Sequence, residues 1–346
     1  MTEPRACILS CSGPELTAGE AALLADAQPW GMILMGRSCR SRAQVRDLTS
    51  SIRAILGEEA LIFIDQEGGR VRRLRPPEWP DFPAAGVYGD LYRADPALGL
   101  EAAWLGYRLI AAELAPLGVR ANCAPVLDVR HAGAHDIVGD RAFGTDPEQV
   151  AALARAALAG LAAGGVAGVI KHIPGHGRAE LDSHEALPVV RASREELARD
   201  ARAFAALTDA SMAMTAHVAY ALWDENACAT LSPTVIGRVI RGDIGFNGLL
   251  MSDDLGMKAL GGPLASRAER ALAAGCDVAL HCSGFVSDPA VVLAEMTEVA
   301  SASPPLSGAA LDRARAARKA VGTAEPFDPA EGRARLDGLL SGLARS

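Results

Sequence analysis

The 346-residue chain is half apolar and 22% charged, a globular composition that excludes intrinsic disorder and is long enough for two average domains or one large α/β barrel. With 35 Gly and 20 Pro, turns are frequent, but collagen-like and low-complexity architectures are excluded. A net charge of −8 argues against a nucleic-acid-binding surface, whose footprint is basic, while leaving room for a local basic pocket.

In chain order, Met1-Thr2-Glu3-Pro4-Arg5 lacks the basic segment and longer apolar stretch of a secretory signal. Residues 6–10 read as a first strand. Thr17-Ala18-Gly19-Glu20 is a capping box ahead of a helix. Strand candidates at 31–35 and 60–65 flank a helix at 43–56, and a helix at 98–117 precedes a long strand candidate at 120–129. Asp146-Pro147-Glu148-Gln149 then places an N-cap and a Pro at the first helical position, ahead of an Ala/Leu-rich helix ending at Gly164-Gly165. After a strand at 165–172, Ser193-Arg194-Glu195-Glu196 repeats the capping box before 197–208. Strands at 211–218, 248–254 and 277–282 alternate with helices at 234–241, 264–274 and 290–300.

Eight nearly continuous apolar runs suit parallel strands buried on both faces. Eight strand–helix units are the count of a single (β/α)8 TIM barrel, of class α/β; a doubly wound open sheet is the local alternative. No linker divides the chain, so 1–346 reads as one catalytic domain, with 302–346 as Arg-rich C-terminal helices packing on the barrel. No uncharged apolar run approaches the ~20 residues of a membrane span. Seven cysteines without a Cys-x-x-Cys pair suggest neither a disulfide framework nor a zinc ribbon, and a reducing cytoplasm is the expected compartment.

Polar residues recur at the carboxyl ends of the proposed strands: Asp65, Asp128, Lys171-His172, His217 and Asp253-Asp254. That rim is where barrel enzymes build their sites. The densest segment runs from Lys171 to His184 and holds three of the seven histidines, with glycines and a proline that make it a loop. It fits three readings: a polar surface loop, a zinc-ligating cluster, or acid–base catalysis in which Asp182 holds one nitrogen of His184 and leaves the other to move a proton. In Asp65-Gln66-Glu67-Gly68-Gly69-Arg70-Val71-Arg72-Arg73 the Gly pair permits a sharp turn. The arginines there are either donors for an anionic or hydroxyl-rich ligand or a surface salt-bridge cluster. Asp140-Arg141-Ala142-Phe143-Gly144 is either a turn or part of the site. No Gly-x-Gly-x-x-Gly stands at a strand end, which disfavours nucleotide binding.

Taken together, the segments at 31–37, 65–71, 171–184 and 252–255 resemble the family 3 glycoside hydrolases, most closely the single-domain, NagZ-type bacterial β-N-acetylhexosaminidases. The resemblance extends from Gly31 to about Asp277 with the motifs in family order. Ile173 stands where that family usually has an aromatic, and Ser38 where it usually has Asn.

The resemblance implies a retaining hydrolase. Asp253 would be the nucleophile, His184 the general acid/base and Asp182 its partner. Asp65 would grip sugar hydroxyls, and Arg73, Arg141, Lys171 and His172 would line the sugar subsite, with His176 structuring the loop. The implied substrate is terminal β-linked N-acetylglucosamine on 1,6-anhydro-N-acetylmuramic acid, with or without peptide, in peptidoglycan recycling. No cofactor or metal, no nucleic-acid partner, no membrane insertion and a monomeric state are expected. The competing readings are a metal-dependent hydrolase using His172, His176, His184 and Asp182, a silent sugar-binding protein, and a β-N-acetylglucosaminide phosphorylase.

Overall fold

The computed structural model describes residues 3–181, 187–284, 286 and 288–343; Asp182 and His184 therefore lie outside the described residues. Eight parallel strands carry the fold: β1 (Arg5–Leu9), β2 (Pro29–Leu34), β3 (Leu61–Ile64), β4 (Ala121–Asn122), β5 (Ala167–Ile173), β6 (Met212–Thr215), β7 (Leu249–Met251) and β8 (Ala279–Leu280). Their order is β7-β6-β5-β4-β3-β2-β1-β8, and a parallel bridge between Met251 and Val278 joins the two ends. The result is the expected (β/α)8 barrel, not an open sheet.

Strand alternation divides the apolar residues between two cores. Ile8, Ile33, Phe63, Val169, Met214, Met251 and Leu280 belong to a cluster that draws on all eight strands and fills the barrel. Their chain neighbours Leu9, Leu34, Ile64, Ile170 and Leu250 pack outward against the helices. Burial on both faces explains why the strands read as continuous apolar runs rather than as alternating ones.

The helix signals act as the sequence implies. Thr17 and Ser193 each form a reciprocal capping box, with Glu20 and Glu196 respectively. Asp146 accepts from Gln149 N at the start of Pro147–Ala163. The helix Gly308–Lys319 contributes Ala314 and Ala317 to the barrel-filling cluster, and Arg313 anchors it to Asp277 at 2.9 and 2.6 Å. The helix Pro329–Leu343 packs on Pro96–Leu114.

Three local expectations change. The fourth strand is two residues long, not ten: beyond it Pro125 has no N–H to give the ladder, and contact with β5 continues through separate hydrogen bonds, from Lys171 N to Pro125 O at 3.3 Å and from Leu127 N to Lys171 O at 2.7 Å, with a bridge from Val126 to Lys171. The segment 234–241 winds as a π-helix, Val235–Asp243. An unforeseen helix, Ala85–Ala94, has no side-chain N-cap and carries two glycines, a weak helical signal. One of them, Gly89, passes so close to Phe143 that a Cβ would lie 1.8 Å from its carbonyl oxygen.

Candidate active site

The carboxyl ends of β3, β5 and β7 and the long β4 connection converge on one cleft. Asp65 is the first residue after β3, Lys171 and His172 close β5, Asp253 follows β7 by two residues, and Arg141 ends the short turn Gly139–Arg141. With Glu67, Arg70, Arg73, His176 and Met257 they line one open cleft of about 180 Å³. Gly68 and Gly69, both at positive φ, turn the chain between Gln66–Gly68 and Val71–Arg72. A Cβ on Gly68 would meet Pro83 O at 2.2 Å. This turn folds Arg73 back over Asp65.

The cleft floor is an ion-pair network. Lys171 Nζ lies 2.9 Å from Asp65 Oδ1 and 2.7 Å from Glu67 Oε1. Arg73 Nη2 donates to Asp65 Oδ2 at 2.8 Å. Arg141 holds Glu67 with two parallel bonds of 2.9 and 2.8 Å, the strong geometry for guanidinium and carboxylate. Burial alone would raise both carboxyls, but the cations outweigh it: Glu67 is held down at about 2 and Asp65 lower still. Burial likewise works against the Lys171 ammonium, yet Asp65 and Glu67 keep its pKa above the ordinary lysine value. All five groups are charged at neutral pH and held in place by one another. Arg70 ties this hairpin to the far wall, donating to Asp140 Oδ1 at 3.1 Å and Ile137 O at 2.7 Å.

A second anchor is Asp128, fully buried. Its Oδ2 lies 2.7 Å from His172 Nδ1, and its Oδ1 accepts the backbone N–H of His176 at 2.6 Å. Burial would raise this carboxyl as well, but His172 and the His176 contacts bring it to about 2. An ionised Asp128 fixes the proton on His172 Nδ1 and leaves Nε2 for the cleft. Burial pushes the His176 imidazole down to about 4, so it is neutral under physiological conditions.

Asp253 differs from the other cleft carboxylates. Asp65 and Glu67 each meet two cations, whereas none lies within 4 Å of Asp253 among the described residues. Its Oδ1 accepts the N–H of Asp254 at 2.7 Å, which fixes the carboxyl plane and leaves Oδ2 for chemistry. The turn is pinned from behind. Asp254 Oδ1 accepts from Gly256 N and Cys282 N, both at 2.9 Å, and His217 Nε2 lies 3.0 Å from Asp254 O. The His281 ring, wholly buried, sits 3.5 Å from Asp254 Oδ1, an ion-pair distance, and 3.1 Å from Glu295 Oε2.

Burial opposes the charge on His281, but Asp254 and Glu295 raise its pKa from the ordinary 6.5 to about 9. Its stabilisation is therefore complete below pH 6.5 and lost as pH rises through 9. Between pH 6 and pH 10 the His281 pairing is expected to account for roughly 3 kcal/mol of the loss seen by urea unfolding of the native protein, in addition to what ionisation of thiols buried in the fold removes. The His281→Gln variant is expected to lose that share of the pH dependence; an unchanged slope in the variant refutes it.

Of the residues expected at the site, Asp65, Arg73, Arg141, Lys171, His172 and Asp253 share the cleft. Asp182 and His184 fall outside the described residues. The sequence assigns no role to Glu67 or Met257, while Arg70, one of the arginines read there as ligand donors or surface salt-bridge partners, does line the cleft. The sequence also did not pair Asp128 with His172, or Asp254 with His281. The spacing of Asp65 and Glu67, two apart on an extended segment, was a signal for two carboxylates on one face. Among the described residues no group of three His, Cys, Asp or Glu is placed to hold a metal ion, and all seven cysteines are free thiols.

Fold and cleft together fit a glycoside hydrolase: fixed charges to grip a hydroxyl-rich ring, and beside them a carboxylate, Asp253, with no cation within 4 Å among the described residues. Residues 8–316 match the family model described as glycosyl hydrolase family 3 N terminal domain, and the chain belongs to glycoside hydrolase family 3. A β-hexosaminidase of Alkalilimnicola ehrlichii is 40% identical over 304 residues, covering 82% of each chain. One from Pseudomonas aeruginosa is 41% identical over 284 residues, covering 81% of this chain and 83% of its own. Among solved structures, native NagZ from Neisseria gonorrhoeae superposes with a TM-score of 0.84 at 31% identity, covering 99% of this chain and 98% of that one. The same enzyme in complex with N-trifluoroacetyl-D-glucosamine gives 0.84 at 30% identity.

Proposed function

We propose that the protein is a retaining β-N-acetylhexosaminidase. It removes terminal β-linked N-acetylglucosamine from 1,6-anhydro-N-acetylmuramic acid, with or without stem peptide, as a cytoplasmic monomer in peptidoglycan recycling, and 1–346 acts as one catalytic unit. The observation that carries this reading is the contrast within the cleft between cation-bound Asp65 and Glu67 and Asp253, which meets no cation among the described residues. The family relatives support the sugar specificity. Among the described residues no helix is long and apolar enough to cross a membrane.

In the first step Asp253 Oδ2 attacks C1, and a C1–O ester forms as the glycosidic bond breaks. His184 as imidazolium gives its proton to the departing oxygen. In the second step the neutral imidazole takes a proton from water, whose oxygen attacks C1 from the side the leaving group vacated. The ester breaks, Asp253 is restored as carboxylate, and two inversions retain the anomeric configuration. This replaces the usual pair of carboxyl groups with an imidazole, which titrates near neutrality and serves as acid and then base without a large shift. Asp182 sets its tautomer and raises its basicity, as the carboxylate does in a triad. Asp65, Arg73, Arg141, Lys171 and His172 hold the sugar.

Two measurements test the reading. NMR of the sugar first released from a β-N-acetylglucosaminide is expected to show the β-anomer; the α-anomer excludes a covalent intermediate. His184→Ala is expected to slow substrates with poor leaving groups by roughly 10²–10⁴-fold while largely sparing glycosylation by activated aryl substrates. Asp182→Ala should show the same pattern more weakly. Equal losses for both substrate classes remove His184 as proton donor.

A further inference from the structure

The turn that carries Asp253 is built against a buried imidazole. His281 stands one residue beyond β8, its backbone N–H held by Ile8 O at 3.0 Å, and the residue is wholly buried. Its two nitrogens face two carboxylates. Nδ1 lies 3.5 Å from Asp254 Oδ1, and Nε2 lies 3.1 Å from Glu295 Oε2 and 2.8 Å from Ser283 Oγ. Glu295 sits on the helix Pro289–Ala302 with its side chain partly exposed, whereas Asp254 belongs to the turn itself. The Nδ1 contact lacks hydrogen-bond geometry, so it rests on opposite charge. The neighbouring cations are engaged elsewhere. Arg37 donates to Cys11 O, Ser10 Oγ, Cys282 O and Ser283 O. Arg267, on the helix Leu264–Ala274, donates to Leu255 O, Met257 O and Gly262 O. Among the described residues His281 is the one cationic group within 4 Å of the Asp254 carboxylate. From Asp254 the connection to the cleft is short. Its Oδ1 holds Gly256 N and Cys282 N, its carbonyl accepts Met257 N at 3.1 Å, and its N–H donates to Asp253 Oδ1 at 2.7 Å. Asp253 and Met257, at the two ends of this turn, both line the cleft.

We infer that His281 is a positioning residue for the nucleophile: its imidazolium, set between Asp254 and Glu295, locks the turn 253–257 and so holds the Asp253 carboxylate in place to attack C1. This rests on the glycosidase reading above and adds to it a group that never touches the sugar. Loss of the ring proton turns a nitrogen lone pair toward a carboxylate, so attraction becomes repulsion. The Asp254 side chain then loses its charge partner and the turn loosens. The sugar subsite, built on β3, β5 and Arg141, stays intact, so the effect falls on kcat and not on KM. With its pKa raised to about 9, His281 keeps the proton at neutral pH and loses it in mildly alkaline solution. The other groups at hand titrate later: burial pushes the Cys11 thiol up to about 11 and Cys282 well above the ordinary thiol value.

The test follows kcat and KM from pH 7 to 9.5 on 4-nitrophenyl β-N-acetylglucosaminide. Its leaving group departs with little need of a proton, and in the second step His184 acts as a base, so deprotonation of His184 leaves the alkaline side level. The native enzyme is expected to lose kcat reversibly with a midpoint near pH 9, at nearly constant KM. Glu295→Gln lies outside the cleft on a partly exposed side chain, so it is expected to fold as the native protein does. It removes one of the two carboxylates that hold the proton on His281, and the fall in kcat should move to lower pH by about one unit. His281→Gln should lower kcat at pH 7 by roughly ten- to a hundredfold, with KM near the native value and no further fall near pH 9. A native kcat that stays level to pH 9.5, an unmoved midpoint in Glu295→Gln, or changes confined to KM overturn the positioning role and leave the glycosidase assignment in place. If the native enzyme does not cleave this glycoside at pH 7, the glycosidase assignment itself fails and the positioning role with it.

Discussion

Asp253→Ala is expected to lower kcat by roughly 10⁴–10⁶-fold, the scale on which removal of a covalent nucleophile acts, with little effect on folding. The side chain is only partly buried and makes one described hydrogen bond, to the amide beside it. Its removal exposes no unpaired charge. The cavity left behind offers a second readout. Azide entering it attacks C1 of an activated substrate from the nucleophile's side, and the product is the α-glycosyl azide. Mass spectrometry of the native enzyme with a slow-turnover substrate should place the adduct on the peptide containing Asp253. Labelling of Asp65 or Glu67 instead reassigns the nucleophile, against the charge pairing that both residues display.

Lys171→Met is expected to damage binding and stability together. The Lys171 ammonium is nearly wholly buried and, among the described residues, is the one cation that touches both Asp65 and Glu67. Without it two buried carboxylates face each other with one arginine apiece. Loss of one partner from a buried network typically costs about 3–5 kcal/mol, and calorimetry or urea unfolding measures it. The same substitution removes a donor from the sugar subsite, so KM for the aryl glycoside should rise well above that of the native enzyme. The carboxyls lose much of what holds them ionised, so the stability deficit should shrink as pH falls and they take up protons. A variant as stable as the native protein, with unaltered KM, refutes the role given to this lysine.

The two predictions illustrate how different parts of the site are encoded. Asp253 was legible because it follows a short apolar strand and sits in Ser252-Asp253-Asp254-Leu255, where the resemblance is specific. The same holds for the glycine turn, whose conformational demand is written in Gly68-Gly69, and for the capping boxes at Thr17 and Ser193, which act between residues three apart. The helix Ala85–Ala94 was not legible, because its stability comes from packing on Pro96–Leu114 and from the close pass of Gly89 under Phe143. Neither contact leaves a local pattern.

Lys171 and His172 mark the boundary most clearly. Consecutive residues of a regular strand point to opposite faces, so adjacency argues against both serving one cleft. Both line it, because the ladder between β5 and β6 shifts register between Lys171 and Ile173. The sequence by itself determined the eight strand–helix units, the capped helix starts and the identity of the charged rim residues, since these depend on periodicity, capping and motifs within a few positions. Only the tertiary structure decided which charges meet. Glu67 joins Lys171 and Arg141, Asp128 joins His172, and His281 joins Asp254 and Glu295 across gaps of many residues. Such pairings arise when barrel closure brings strand ends together, and Coulomb energy depends on that distance in space and not on separation along the chain.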